Sequence, residues 1–171
     1  MNDFRQSLAS GHLAESAISR WLQRRGCGVV PAYEVETGHF KGPQFFTADG
    51  SFAVPDMLVF GKRCIRWIEA KHKTAFAWNR ARGIWVTGVD VRNYLDYQEV
   101  AVKSGVPAWL LFLQRGGQAK DSPSSPSGLY GQELRKLAKS ENHRGMMGDR
   151  EMVYWSIDAL LKLADIDSVL P

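Results

Sequence analysis

Apolar residues recur at helical spacing in the first part of the chain. Between Ser10 and Arg25 they lie three and four positions apart: Leu13, Ala14, Ala17, Ile18, Trp21 and Leu22. This pattern predicts an amphipathic helix that ends at Gly26, because glycine commonly follows the last helical turn. Glu15 lies at the edge of the apolar face, where a carboxylate either reaches solvent, pairs with a nearby cation or has a function.

The next segments predict strands. Residues 28–36 (GVVPAYEVE) are rich in valine, and their proline is typical of an edge strand or a bulge. Residues 37–51 have the glycine-rich composition of a loop, which either lines a cleft or closes over the core. Two apolar runs, 52–60 and 64–71, are separated by only three residues, so they predict an antiparallel hairpin.

Helical spacing returns at residues 91–104 and stops at Gly105, and residues 107–113 (PAWLLFL) predict a strand buried on both faces. Residues 116–149 are polar, so we expect a flexible excursion there, either mobile over a substrate or an idle insertion, with a short helix near 132–139.

The last segments predict an outer strand at 152–156 and a helix at 157–164 that Ser156 caps. The order of the predicted core elements is α-β-β-β-α-β, which indicates an α/β fold with a mixed central β-sheet flanked by helices. The 171 residues fit a single domain, 1–171. We place its core at about 8–114, the polar excursion at about 116–149, and a C-terminal strand and helix at 152–166.

Composition narrows the class of protein. Hydrophobic residues make up 44% and charged residues 23%, and no apolar run approaches the roughly 18 residues of a membrane helix, so we expect a soluble protein with no membrane partner. The N-terminus has no secretion signal, which favours the cytoplasm. The net charge of +4 is compatible with a polyanionic partner but is too mild to indicate one.

The hairpin contains the candidate chemistry. If its turn centres between Lys62 and Arg63, paired positions sum to 125, and Asp56 lies directly opposite Glu69. Strand alternation puts Lys71 on the same face as Glu69. Two adjacent carboxylates repel each other, and Mg²⁺ or Mn²⁺ relieves that repulsion through oxygen ligation. The pattern therefore predicts a metal site with a cation beside it.

Three features, Pro55-Asp56, Glu69-Ala70-Lys71 and the acidic Glu15 on a preceding helix, resemble the PD-(D/E)XK nuclease superfamily, whose restriction-endonuclease-like core includes Holliday junction resolvases. The resemblance implies a metal-dependent nuclease in which Asp56, Glu69 and the Ala70 carbonyl bind Mg²⁺ or Mn²⁺. It also implies that Lys71 assists the nucleophile and that Glu15 is an additional catalytic acid.

Basic and aromatic residues alternate directly after this motif. Lys73, Arg80 and Arg82 are candidates for contacts with a nucleic-acid backbone, and Trp78 is a candidate stacking platform, although aromatic residues in such a segment often pack in the core. We expect an endonuclease whose substrate is DNA and not RNA. A homodimer is compatible with the sequence. The alternative is a catalytically silent nucleic-acid-binding or assembly module that retains the fold.

Overall fold

The computed structural model describes residues 2–32, 43–118 and 122–170. Its helices are α1 (Asn2–Arg24), α2 (Val91–Ser104), α3 (Leu134–Leu137) and α4 (Ile166–Val169). Its strands are β1 (Gly28–Pro31), β2 (Gln44–Thr47), β3 (Gly50–Ala53), β4 (Met57–Phe60), β5 (Ile65–Lys73), β6 (Ala77–Asn79), β7 (Ile84–Asp90), β8 (Ala108–Gln114), β9 (Gly128–Glu133), β10 (His143–Met147), β11 (Arg150–Ser156) and β12 (Leu161–Ala164). Among these described helices, none has the length and apolarity needed to cross a membrane.

A six-stranded sheet in the order β1-β4-β5-β8-β9-β12 forms the centre of the fold. Only β5 and β8 run parallel within it, and every other neighbouring pair is antiparallel. This arrangement confirms the predicted mixed sheet flanked by helices. A second sheet has the order β10-β11-β7-β6, and β2 and β3 form a separate hairpin.

Strand β8 shows how the sheet separates two apolar layers. Leu111 and Leu113 pack on one face with the apolar side of α1. Leu110 and Phe112 pack on the other face with α2 and with Trp155 of the second sheet. This alternation requires apolar residues at every position, which explains the continuous run that predicted a strand buried on both faces.

Both long helices end where the sequence predicted. Gly26 follows α1 with φ 78° and Gly105 follows α2 with φ 67°, a backbone conformation that glycine adopts without steric cost. Helix α1 begins at Asn2, well before the predicted start at Ser10.

The segment before the β4–β5 hairpin differs from the prediction. Residues 52–60 are not one strand, because the chain leaves β3 after Ala53 and enters β4 only at Met57. Proline at position 55 has no N–H to donate to a ladder, which accounts for the break. The predicted loop at 37–51 instead contains the β2–β3 hairpin. Of these predicted segments, residues 33–42 lie outside the described part of the chain.

The predicted polar excursion at 116–149 is wrong for most of its length. Strand β9 lies inside the central sheet between β8 and β12, and β10 belongs to the second sheet. Gly131 permits the close approach of β8, since a β-carbon there would lie 2.3 Å from a side-chain carbon of Leu111. The short helix was expected at 132–139 and is present as α3.

The C-terminal prediction is also only partly correct. The strand at 152–156 exists as β11, but it is not an outer strand, because β10 and β7 pair on either side of it. A 3₁₀ turn at Ile157–Ala159 and the strand β12 replace the predicted helix at 157–164, and the Ser156 side chain makes no capping hydrogen bond.

Candidate active site

Strands β4 and β5 pair in the predicted register. Met57 lies opposite Ile68 and Phe60 opposite Ile65, so paired positions sum to 125 as expected. Asp56, one position before β4, faces Glu69 in the continuation of this register. The backbone N–H of Asp56 donates to Glu69 Oε2 at 3.2 Å, and the backbone N–H of Ala70 donates to Asp56 Oδ2 at 2.7 Å. Each strand therefore holds the other strand's carboxylate by its main chain.

Burial makes it unfavourable for Asp56 and Glu69 to carry a negative charge at the same time. Glu69 is only 2% exposed. Loss of solvent, followed by the charge of Glu69, raises the pKa of Asp56 from 3.8 to about 8, against the lowering effects of Lys71 and of the Ala70 hydrogen bond. In the metal-free protein at neutral pH, Asp56 is therefore held largely protonated.

Lys71 forms an ion pair with Glu69 Oε1 and keeps 32% of its side chain exposed. Burial alone would lower its pKa, but the charges of Glu69 and Asp56 outweigh that effect and raise it. The lysine is therefore a fixed cation in this arrangement and not a proton acceptor. A cation at this position can neutralise a phosphate oxygen or orient a water molecule.

Tyr97 lies beside Glu69 and Lys73 lies near Lys71, and the sequence predicted neither position. Burial, and then the charge of and a hydrogen bond with Glu69, raise the pKa of Tyr97. The pattern of α2 indicated only that Tyr97 packs inward, and no sequence signal specified Glu69 as its neighbour. Lys73 was a substrate-contact candidate, and burial together with the charge of Lys71 lowers its pKa to about 8.

Glu15 lies near the carboxylate pair without joining it. Its side chain is 38% exposed, and its Oε2 lies 3.5 Å from His12 Nδ1. The charge of Glu15 contributes to the raised pKa values of both Asp56 and Lys71. Within the described ranges, no three acidic, histidine or cysteine side chains are close enough together to hold a metal ion. The catalytic role of Glu15 stays a prediction.

The oxygen atoms at this site suit a hard divalent cation. Asp56 Oδ1 accepts no hydrogen bond from the described residues, and Glu69 Oε1 is ion-paired with the Lys71 ammonium. The Ala70 N–H points toward Asp56, and the carbonyl of a strand residue points to the same side as its N–H, so this carbonyl faces the site as well. Two carboxylates and one carbonyl fit Mg²⁺ or Mn²⁺, with water completing the coordination.

The other substrate-contact candidates lie in the second sheet. Trp78 on β6 pairs with Trp85 on β7, and their rings meet edge to face with centroids 4.9 Å apart. Arg80 and Arg82 lie in the exposed β6–β7 turn, where Arg82 donates to Asn142 Oδ1 at 2.9 Å. The structure therefore separates this group from the carboxylates on the central sheet, and its role in substrate binding stays a prediction.

The architecture matches a solved structure over most of both chains. A Holliday junction resolvase from Archaeoglobus fulgidus, an archaeal hyperthermophile, superposes with a TM-score of 0.52 and 11% identity, covering 90% of this chain and 91% of that one. The chain has the fold of this resolvase. A nuclease from a fusselovirus is also similar, with a TM-score of 0.41 and 13% identity over 96% of this chain and 86% of the viral one. No family model and no curated protein matches the sequence.

Proposed function

We propose that this protein is a nuclease that uses Mg²⁺ or Mn²⁺ to hydrolyse phosphodiester bonds, as an endonuclease on DNA. The observation that carries the proposal is the pair of hydrogen bonds that joins Asp56 to the Glu69 carboxylate and to the Ala70 backbone N–H, with Lys71 ion-paired on the same face. The likeness to the archaeal resolvase supports the fold in which such a site occurs.

Hydrolysis of a phosphodiester needs a positive charge that stabilises the negative charge on the phosphoryl oxygens. Water adds to phosphorus, one P–O ester bond breaks, and the leaving oxygen takes up a proton, giving a phosphomonoester and a hydroxyl group. A divalent cation supplies charge for the phosphoryl oxygen and lowers the pKa of the attacking water. Asp56, Glu69 and the Ala70 carbonyl would hold it.

Lys71 has a separate task in this proposal. A cation held by Glu69 would compete with the Lys71 ammonium for that carboxylate and would free the lysine to contact the substrate. Its raised pKa keeps it protonated, so its ammonium donates to a phosphate oxygen or to the attacking water. Its partly exposed side chain gives substrate access to that ammonium.

The test is cleavage of single-stranded, double-stranded and four-way-branched DNA and of RNA, in Mg²⁺, Mn²⁺ or EDTA. We expect cutting of DNA that EDTA abolishes and that Asp56→Asn, Glu69→Gln and Lys71→Met each reduce at least a hundredfold. The matched controls are Asp165→Asn and Lys162→Met. They remove the two charges of an exposed ion pair at β12, three strands away from β5 in the sheet. Both controls should cut like wild type.

Two results would contradict the proposal. Cleavage that persists undiminished in Asp56→Asn would show that activity does not come from this site. Nucleic-acid binding without any cleavage in either metal would instead favour the silent binding module.

A further inference from the structure

A cavity of about 560 Å³ on the α1 side of the sheet has a basic lining that the proposed chemistry does not use. Its polar walls come from His12, Ser16 and Arg20 of α1 and from Arg115, which follows β8. The three α1 residues are four positions apart, so they form one line roughly 12 Å long on the helix surface. Leu13, Ala17 and Leu170 complete the lining.

Both arginines in this cavity are available to an anion. Neither Arg20 nor Arg115 forms an ion pair with a carboxylate in the part of the chain that the structure describes. Both are exposed, and they stand beside apolar side chains, which lower the local dielectric and strengthen an ion pair. Arginine presents a planar fork of donors that matches two oxygens of one phosphate.

Two contacts connect this cavity with the carboxylate site. The backbone N–H of Arg115 donates to the Lys73 carbonyl at 3.0 Å, two residues beyond Lys71 on the same strand. On the helix side, His12 contacts Glu15, whose charge reaches Asp56 and Lys71. From strand spacing, the Arg115 backbone lies roughly 10 Å from that of Lys71. Glu69 and Lys71 pair with Leu110 and Phe112 and so project to the α2 face of the sheet, whereas the cavity lies on the α1 face. A strand that reaches both sites passes over the C-terminal ends of β5 and β8.

We propose that Arg20 and Arg115, with His12 and Ser16 beside them, form a subsite for backbone phosphates that flank the bond to be cut. The subsite rests on the proposed function, since it places the bound strand relative to Asp56 and Glu69. Its ligand is the phosphodiester backbone of a nucleic acid, bound without base contacts. It sets where the strand lies, and the carboxylates set which bond reacts.

The first test measures binding without cleavage. In EDTA, the affinity of the full chain for a labelled oligonucleotide is followed by fluorescence anisotropy between 50 and 200 mM NaCl. Each phosphate contact contributes about 0.7 to 0.9 to the slope of log affinity against log salt. The double variant Arg20→Gln, Arg115→Gln should have a slope shallower by about 1.4 to 1.8. The matched control is Arg63→Gln, in the exposed β4–β5 turn at the far end of the hairpin from Asp56, and it should retain the wild-type slope.

A second measurement locates the contact on the substrate. Single phosphates around the mapped cleavage position are replaced one at a time by neutral methylphosphonates. At one or two positions the replacement should weaken binding by wild type about fivefold or more and leave binding by the double variant unchanged. A wild-type slope in the double variant, or the same methylphosphonate losses in both proteins, would refute the subsite.

Failure of the subsite can be distinguished from failure of the nuclease proposal. If wild type cuts DNA and the double variant binds with an unchanged slope, only the subsite is wrong. If the double variant loses slope while wild type fails to cut in Mg²⁺ or Mn²⁺, the subsite stands and the nuclease proposal is wrong. Equal Mg²⁺-induced thermal stabilisation of wild type and the double variant verifies that the carboxylate site is intact in both.

Discussion

Replacing Asp56 with asparagine should make the metal-free protein more stable, and the gain should grow with pH. Asparagine keeps an oxygen that can accept the Ala70 N–H, but it cannot ionise. The folded-state pKa of Asp56 is about 8 and the ordinary pKa of an aspartate is 3.8, so the folded protein binds this proton more tightly than the unfolded chain does. That stabilisation is fully present below about pH 4 and is lost as pH rises through about 8.

The size of the effect follows from the same linkage. Near pH 6, each pH unit lowers the free energy of unfolding of wild type by about 1.4 kcal/mol, and this slope halves by pH 8, whereas Asp56→Asn loses nothing at this position. The variant should therefore gain about 3 kcal/mol relative to wild type from pH 6 to pH 9, with the change levelling off above pH 8. Other titrating groups largely cancel in the difference between the two proteins.

Urea unfolding in EDTA, followed by tryptophan fluorescence at half-unit steps from pH 6 to pH 9, measures this difference. Asp165→Asn is the control, because its carboxylate is 79% exposed, and its stability should track wild type at every pH. Saturating Mg²⁺ should make wild type more stable than Asp56→Asn. The cation stabilises the ionised wild-type site and binds the variant, which lacks one carboxylate, more weakly. A stability difference that does not change with pH would refute the inference that Asp56 is held protonated beside Glu69.

Three further outcomes test the site and the fold. Tyr97→Phe should weaken Mg²⁺ affinity three- to tenfold in a calorimetric titration, because it removes a hydrogen bond to Glu69, and unchanged affinity would leave Tyr97 a packing role only. Leu113→Ala should cost about 2 to 5 kcal/mol in urea unfolding, whereas Leu161→Ala, 47% exposed, should cost less than about 1; equal costs would contradict the assigned layers. Gly131→Ala should cost about 1 to 3 kcal/mol in the same assay through overpacking, and a neutral result would show that β8 and β9 lie further apart.

The carboxylate pair could be predicted from sequence because it depends on local geometry. A short turn fixes the register of the hairpin, and the two-residue period of a strand then determines that Glu69 and Lys71 share a face. The observed pairing of Met57 with Ile68 places Asp56 where that reasoning put it. No contact distant in sequence was needed.

Strand β9 could not be predicted in the same way. It carries Gly131 and Gln132 in a polar context, and both features argue against a buried strand. Its position depends on β8 and β12, which supply hydrogen-bonding edges on both sides, and on the absence of a side chain at Gly131. Tyr97 was missed for the same reason, since its neighbour Glu69 lies on another element and helical periodicity reports only that a side chain points inward.

The position of Glu15 suggests a division of roles among the acids. Asp56 and Glu69 are fixed by main-chain hydrogen bonds on rigid strands, whereas Glu15 is half-exposed on a helix and contacts His12. A direct metal ligand needs the first kind of support, because a cation such as Mg²⁺ requires near-ideal geometry. Glu15 is better placed to act through its charge on Asp56 and Lys71.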